Sequence, residues 1–342
     1  MNCQKTARLH KLFWLCAIFL ALLIAVPGCN GRPGRSQNPA KKPQALPAKP
    51  EADGTDSSRK KEKAQKRSAV PGAGIVTGLV VNVRARPTSQ SERVTQVVYN
   101  DPVKILETAG DWLRVRVPDG YEGWVERQRV RPVVPDQGNG SAGQTARVIV
   151  AARTASLFGE PASSGEPLLQ VVMGTGLPVL GERPGWYRVR LADGGTAWMA
   201  ARSVKKYDPG EPGQADGQDK ITGQQVVRHA LQLLGIPYLW GGRTPRGIDC
   251  SGLTYLALLV EGIRIPRDAE EQFQAGRKVS REELAPGDLV FFDTTGEGVS
   301  HVGIYAGGGR FIEASQGQKA VVITSLQDPY YRKRYLGARR YH

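Results

Sequence analysis

Long apolar runs are nearly absent from this sequence of 342 residues. The exception is residues 12–26, a run of about 15 residues, which is short for a membrane-spanning helix. It follows three cations and ends just before Cys29, the layout of a secretory leader over residues 1–28. The sequence therefore predicts export; an uncleaved N-terminal anchor is the alternative.

Cysteine is also scarce, with four in the whole chain. Cys3 and Cys16 lie in the leader and would leave with it. Residues 26–29 (VPGC) resemble the bacterial lipobox, so Cys29 is predicted to be the lipid attachment site of the mature protein. Cys250 is then the one remaining thiol, and in an oxidising compartment it is either a buried, inert side chain or a nucleophile.

The net charge of +15 is unevenly distributed. Residues 30–70 carry eleven cations against four acids, whereas residues 71–342 carry 33 against 28. Residues 29–72 are rich in Pro, Ala, Lys and Ser, the composition of a disordered basic linker. We therefore interpret the charge as a tether near an anionic envelope surface and predict no nucleic-acid partner.

Residues 73–136 and 144–208 form an internal repeat with a constant offset of 74 residues. Trp112 matches Trp186. The run of alternating apolar and charged residues that follows Trp112 also matches the run that follows Trp186. Short alternating runs between Gly, Pro and Asp turns are typical of strands, so each unit of about 60 residues is predicted to be a small all-β module. The two modules resemble bacterial SH3-like barrels, which usually target or position an enzyme; plain spacers are the alternative.

The C-terminal part, residues 220–342, has a mixed pattern. Helical spacing of apolar residues predicts a helix over 224–234 that stops at Gly235, and a second helix over 250–259. Strands are predicted over 288–292, 301–305, 310–313 and 320–324. The fold class is therefore multidomain α+β, with two small all-β modules followed by a helix-plus-antiparallel-sheet domain.

Cys250 begins the second predicted helix, and the partial positive charge of a helix N-terminus favours the thiolate form of a cysteine. A cysteine nucleophile also needs a base, usually histidine. Of the four histidines, His10 lies in the leader, His342 is the last residue, and His229 suits a surface or packing role on the first helix. His301 remains, at the start of an apolar strand. One such histidine and one thiol cannot build a zinc site, so we predict no metal and no cofactor.

Four segments together resemble the signature runs of the NlpC-type cell-wall peptidases, a papain-like family. They are residues 238–242 (YLWGG), 249–253 (DCSGL), 286–292 (PGDLVFF) and 300–305 (SHVGIY). The resemblance implies that Cys250 is the nucleophile, that His301 is its base, and that Tyr238 assists beside the thiolate. It places the third catalytic residue twelve positions after the histidine, at Glu313, where the family most often has histidine. A carboxylate can still accept the imidazole N–H.

The same resemblance implies substrate-binding roles for Asp249, Ser251 and Trp240, although Asp249 could be only an N-cap, Tyr238 a core tyrosine and Trp240 a core side chain. Two SH3-like barrels before such a domain resemble the γ-D-glutamyl-L-diamino acid endopeptidases. In those enzymes the first barrel limits substrates to peptides with a free N-terminal L-Ala. Tyr121 matches the barrel tyrosine used there.

The barrel glutamate expected in those enzymes falls on Val94 in an ungapped comparison, with Glu92 two residues earlier. The implied activity is hydrolysis of the γ-D-Glu to diaminopimelate or lysine bond in murein peptides by an exported, lipid-anchored enzyme, expected to be a monomer. Two alternatives remain open: a D,L-endopeptidase acting on intact peptidoglycan, and a non-catalytic wall-binding lipoprotein in which Glu313 marks lost activity.

Overall fold

The computed structural model describes residues 72–133, 146–207 except Ser163, and 222–342. The predicted leader, Cys29 and most of the basic linker lie outside the described residues, as do residues 134–145 and 208–221. None of the helices in the described part of the chain is long and apolar enough to cross a membrane.

The first module is an antiparallel sheet of seven strands. They are β1 (Gly72–Val76), β2 (Val80–Arg84), β3 (Arg93–Val98), β4 (Pro102–Ala109), β5 (Trp112–Arg116), β6 (Glu122–Glu126) and β7 (Val130–Val133). Their hydrogen-bonded order is β3-β2-β6-β5-β4-β1-β7. Alternate residues of each strand point inward, which buries a valine-rich core that includes Val83, Val97, Val115 and Val125.

The second module repeats this arrangement strand by strand. Its strands are β8 (Arg147–Val150), β9 (Thr154–Phe158), β10 (Leu169–Val172), β11 (Gly176–Arg183), β12 (Trp186–Arg190), β13 (Thr196–Ala200) and β14 (Val204–Tyr207). The order β10-β9-β13-β12-β11-β8-β14 is the same as in the first module. Gly120 and Gly194, which are 74 residues apart, both have positive φ, +90° and +97°, which explains why glycine recurs there. The predicted repeat is confirmed.

The C-terminal domain combines four helices with one large sheet. The helices are α1 (Gly223–Leu231), α2 (Cys250–Val260), α3 (Ala269–Ala275) and α4 (Pro329–Arg334). The strands are β15 (Arg243–Thr244), β16 (Gly247–Ile248), β17 (Arg277–Val279), β18 (Leu289–Phe292), β19 (His301–Gly307), β20 (Arg310–Ser315), β21 (Ala320–Ser325) and β22 (Tyr335–Arg340). The six-stranded antiparallel sheet has the order β17-β22-β18-β19-β20-β21, and the multidomain α+β prediction is confirmed.

The two predicted helices and four predicted strands are present, with small differences at their ends. The first helix stops at Leu231, three residues early, and the chain then turns until Gly235, whose φ is +78°. The elements α3, α4, β17 and β22 were not predicted. These elements are short, and their sequences show only weak amphipathic patterns. Tertiary contacts therefore determine their structure.

Helix α2 is the centre of the C-terminal domain. Ten of its eleven residues are buried, and it packs against β19, β20 and α1. The buried side chains of α2 join Val302, Ile304 and Ile312 in one core. A helix that is apolar on all sides can only be stable inside such a core, so this packing fixes the position of its N-terminus and of Cys250.

Candidate active site

Cys250 is the first residue of α2, directly after the N-cap Asp249. The Asp249 carboxylate accepts from the Gly252 backbone N–H at 2.6 Å, a cap that stabilises a helix by about 1 kcal/mol. Cys250 is a free cysteine with 9% of its surface exposed. The positive end of the helix dipole therefore acts directly on its sulfur.

His301 and Glu313 are brought together by the register of two neighbouring strands. The pairing of Ile304 with Ile312 puts Glu313 one diagonal step from His301 on the same face of the sheet. The distance from His301 Nε2 to Glu313 Oε2 is 2.7 Å. The Cys250 side chain interacts with the same imidazole closely enough to raise the pKa of His301. The structure thus places the three predicted catalytic side chains in one chain of contacts.

The electrostatics of this group favour a charged imidazole. Burial lowers the pKa of His301, but the hydrogen bonds and charges of Cys250 and Glu313 outweigh burial and raise the pKa of His301 to about 10. Burial would raise the pKa of Glu313, but the hydrogen bond and charge of His301 hold it below its usual range. An ionised Glu313 beside a protonated His301 is the arrangement that orients an imidazole toward a thiolate.

Glu313 has two further donors that the sequence did not predict. Thr324 Oγ1 donates to Oε1 at 2.6 Å, and Tyr331 OH donates to Oε2 at 2.7 Å. The carboxylate is fully buried, so these bonds satisfy oxygens that water cannot reach. Tyr331 lies on α4, whose aromatic and basic sequence gave no signal of contact with a strand eighteen residues earlier.

Replacing Tyr331 with Phe is expected to lower kcat/KM about tenfold, because a charge-assisted hydrogen bond to the carboxylate that orients His301 is lost. Steady-state rates on a murein tripeptide measure this. Tyr330→Phe is the matched control, since Tyr330 is 45% exposed and stacks under Arg334. Equal rates for the two variants would show that the Tyr331 hydroxyl does not support the site.

Tyr238 lies beside the thiol, as predicted. Burial, with the nearby charges of Cys250 and Asp249, raises the pKa of Tyr238. The hydroxyl therefore stays protonated and can donate. Trp240 lies not in the core but at the surface between domains, where its Nε1 donates to Glu92 Oε1 at 3.0 Å.

Asp249 and Ser251 are both held by Arg267, a residue that the sequence did not predict. Arg267 donates to Asp249 Oδ2 at 2.7 Å and to Ser251 Oγ at 2.8 Å. Burial alone would lower the pKa of Arg267, but the Asp249 carboxylate outweighs it and raises that pKa. Asp249 therefore acts as the N-cap and also as one half of a buried ion pair. A lone arginine after a proline, in the loop before α3, gives no motif by which sequence could have found it.

The first SH3 module contributes side chains to this end of the site. Glu92 is exposed and accepts the Trp240 indole, whereas Val94 packs against the core of its own module, so Glu92 is the glutamate that faces the C-terminal domain. Burial, then the charge of Asp268, raises the pKa of Tyr121, and Arg267 opposes this. Tyr121 thus lies within the electrostatic reach of the arginine that holds Asp249.

The module is fixed in place by buried polar contacts. Arg243 donates from its backbone to Gln96 Oε1 at 3.1 Å, and its guanidinium pairs with Asp101. Arg93 Nη1 donates to the Trp240 carbonyl at 2.7 Å. These contacts dock the first module, which carries Glu92 and Tyr121, against the C-terminal domain.

His229 has the packing role that its place on α1 suggested. It is buried, and its Nε2 lies 2.5 Å from Glu261 Oε1. Lys205 of the second module pairs with the other oxygen of that carboxylate. Among the described residues, no three His, Cys, Asp or Glu side chains are grouped as the ligands of a metal ion would be.

Comparisons with known proteins agree with this geometry. Residues 235–340 match the NlpC/P60 family, and residues 79–131 and 154–205 match the bacterial SH3 domain. The chain is 32% identical over 264 residues to the gamma-D-glutamyl-L-lysine dipeptidyl-peptidase of Bacillus cereus, covering 74% of this chain and 77% of that protein. It is 31% identical over 269 residues to dipeptidyl-peptidase 6 of Lysinibacillus sphaericus, covering 76% and 94%.

A solved structure resembles the whole described fold. The crystal structure of an NlpC/P60 family protein from Bacillus cereus has a TM-score of 0.69 and 27% identity, and the match covers 79% of this chain and 99% of that one. The resemblance predicted from four sequence segments and an internal repeat is confirmed. The chain belongs to the NlpC/P60 family, with two bacterial SH3 domains ahead of its peptidase domain.

Proposed function

We propose that this chain is a cysteine peptidase that hydrolyses the amide bond between γ-D-Glu and the diamino acid, diaminopimelate or lysine, of murein peptides with a free N-terminal L-Ala. The observation that carries the proposal is the chain of contacts from Cys250 through His301 to Glu313 at the N-terminus of a buried helix. Relatives that match over most of their length are named for cleavage after γ-D-glutamyl groups.

The proposed reaction uses only side chains of this group and a water molecule. The Cys250 thiolate attacks the amide carbonyl, and the protonated His301 gives its proton to the leaving amine, so that a thioester and a free diamino acid form. The now neutral imidazole takes a proton from water, the hydroxide cleaves the thioester, and the thiolate returns as the leaving group.

Two donors are proposed for the negative oxygen of the intermediate. Cys250 is the first helical residue, so its backbone N–H has no carbonyl partner within the helix and is free to donate. The Tyr238 hydroxyl is the second donor. Together they would form the oxyanion site.

The substrate's amino end is proposed to lie between the first SH3 module and α2. Glu92 has one oxygen on Trp240 and a second oxygen for an ammonium group, whereas the charge of Asp249 is already paired with Arg267. Ser251, Trp240 and Tyr121 line the same end. A site bounded on one side by the first SH3 module suits a short peptide better than intact peptidoglycan.

The location of the reaction follows from the family and the sequence. NlpC/P60 cell-wall hydrolases act in the periplasm or outside the cell, and lipid attachment at Cys29 would hold this one to the membrane. The enzyme would work as a monomer with murein peptides as its partners, without metal or cofactor.

Mass spectrometry of products from the tripeptide L-Ala-γ-D-Glu-diaminopimelate tests the function. The expected products are L-Ala-D-Glu and free diaminopimelate, with none formed by Cys250→Ala. Release of L-Ala-D-Glu from whole sacculi at a comparable rate would favour the endopeptidase on intact wall. Sacculus binding without any product would favour the wall-binding lipoprotein.

Blocking the amino end of the tripeptide with an acetyl group is expected to lower kcat/KM about fivefold, because the ammonium group loses its pairing with the exposed Glu92 carboxylate. Glu92→Gln should lower kcat/KM on the free peptide, so that the ratio of kcat/KM between the free and the acetylated peptide becomes smaller. Glu126→Gln, on the same module, is the control, because Glu126 bonds only within its module, to Gln128 and Arg129. Equal rates on free and acetylated peptides would rule out recognition of the amino group.

A further inference from the structure

The second SH3 module carries an aromatic surface that the peptidase chemistry does not use. The register of β13 with β9 pairs Trp198 with Phe158, and Trp186 lies on the same outer face, across the small Ala200. The ring centroids of Phe158 and Trp186 are 5.9 Å apart in an edge-to-face contact. All three rings are partly exposed. Phe158, Trp186 and Trp198 together form the aromatic surface.

The outer face of the first module differs at the equivalent places because its cations are neutralised. Arg114 donates to Glu122 Oε2 at 3.0 Å, and Arg116 donates to Glu122 Oε1 at 2.9 Å. Glu107 Oε2 also lies 3.8 Å from Arg114 Nη1, so two carboxylates compensate the two guanidinium groups.

The second module keeps the two arginines but not the glutamate that bonds both of them. The offset of 74 residues puts Arg188 and Arg190 at the places of the two first-module arginines, and Thr196 at the place of that glutamate. Arg188 reaches only the Thr196 hydroxyl, at 3.3 Å, and neither arginine forms an ion pair within the described part of the chain. Arg183 adds a third guanidinium, 4.9 Å from the Trp198 ring centroid. The aromatic surface thus has a positive border.

A pocket opens beside the aromatic surface, at the hairpin between β11 and β12. It is shallow and open to solvent, with a volume of about 400 Å³. The lining residues are Glu182, Arg183, Pro184, Gly185, Trp186, Tyr187 and Ala201. Lys206 Nζ pairs with Glu182 Oε1 at 2.9 Å, so the carboxylate in this lining is compensated, and Arg183 and Trp186 remain for a ligand.

The positive charge of this face distinguishes between the ligands that could bind there. The chain's own linker, residues 30–70, is proline-containing but carries eleven cations against four acids, so arginines would repel it. A ligand that presents apolar C–H faces to aromatic rings and carboxylates to arginines fits both halves of the surface. Sugar rings with acidic side groups have this chemistry.

We propose that the aromatic surface, with Arg188 and Arg190, binds the glycan strand of peptidoglycan, its sugars stacked on the tryptophans and its acidic peptide stems on the arginines. The choice of wall glycan rests on the proposed function, but the site is separate from Cys250. It would hold the enzyme on the wall while the catalytic end receives short peptides.

Cosedimentation of the full chain with purified sacculi, freed of secondary polymers by acid, tests this proposal. Every protein in the assay carries Cys250→Ala so that the probe stays intact. The R188A/R190A double variant is expected to bind about tenfold more weakly, since hydrogen bonds to charged groups are lost. Thr196→Glu, an exposed change that installs the first module's carboxylate, should weaken binding to a similar extent.

The R114A/R116A variant is the matched control and should bind like the parent, with thermal melting to confirm that all variants fold. Unchanged binding by both R188A/R190A and T196E would overturn the proposal. The proposal would also be overturned if the parent protein did not bind sacculi but bound phosphatidylglycerol vesicles, because the surface would then recognise lipid. Tripeptide hydrolysis by the native chain is measured separately, so a failure of the proposed function is distinguished from a failure of this site.

Discussion

Replacing Cys250 with Ala, or His301 with Gln, is expected to lower kcat on the murein tripeptide about 10⁴-fold each. The alanine variant has no nucleophile. In the glutamine variant the amide can still donate to the buried Glu313, which limits the damage to the fold, but it cannot take up or release a proton. Single-turnover rates on the tripeptide measure both losses.

The double variant is expected to be no slower than either single variant. Residues that act as one unit show strongly non-additive losses, because the second substitution removes a group that already has nothing to act on. Losses that multiply would instead mean that the thiol and the imidazole work independently, which would contradict the proposed mechanism.

A second buried histidine provides the control. His229 and Glu261 form a pair like that of His301 and Glu313, with 2.5 Å and 2.7 Å between the paired atoms. His229→Gln changes the same chemistry at a site remote from the thiol, so it should retain activity while shifting stability. A 10⁴-fold loss in that variant would mean that loss of a buried ion pair, and not of the catalytic base, explains the result.

Sequence predicted the parts of the site that lie within recognisable local patterns. Cys250 begins a helix, His301 begins an apolar strand, and Glu313 follows on the next strand, so each position could be read from periodicity or from the family segments. The repeat was equally clear because tryptophans and turn glycines recur at one offset. Their catalytic roles stay predictions until the variants are measured.

The supporting residues could not be predicted because long-range packing selects them. Thr324 and Tyr331 reach Glu313 only after β21 and α4 have folded beside β20, and neither segment has a pattern that indicates a partner. Arg267 becomes important only when its loop closes over the N-cap of α2. Whether Val94 or Glu92 faces the C-terminal domain likewise depends on how the first module docks on that domain. An ungapped alignment does not show this docking.

The alkaline limit of activity should depend on Glu313. With the His301 pKa raised from 6.5 to about 10, the imidazolium is kept up to about pH 10, and its contribution to stability is complete below 6.5 and lost as pH rises through about 10.

Glu313→Gln removes one of the groups that raise this pKa, so the alkaline limb of kcat/KM should move to lower pH, and the rate at neutral pH should fall about 100-fold because the imidazole loses its ionic anchor. A pH–rate profile from pH 5 to 11, with NMR titration of the His301 ring, measures both effects. Glu261→Gln removes the other buried carboxylate bonded to a histidine and should leave the profile unchanged. An alkaline limb in Glu313→Gln that coincides with that of the native enzyme would mean that Glu313 does not hold the proton on His301, and the carboxylate would then serve only to orient the ring.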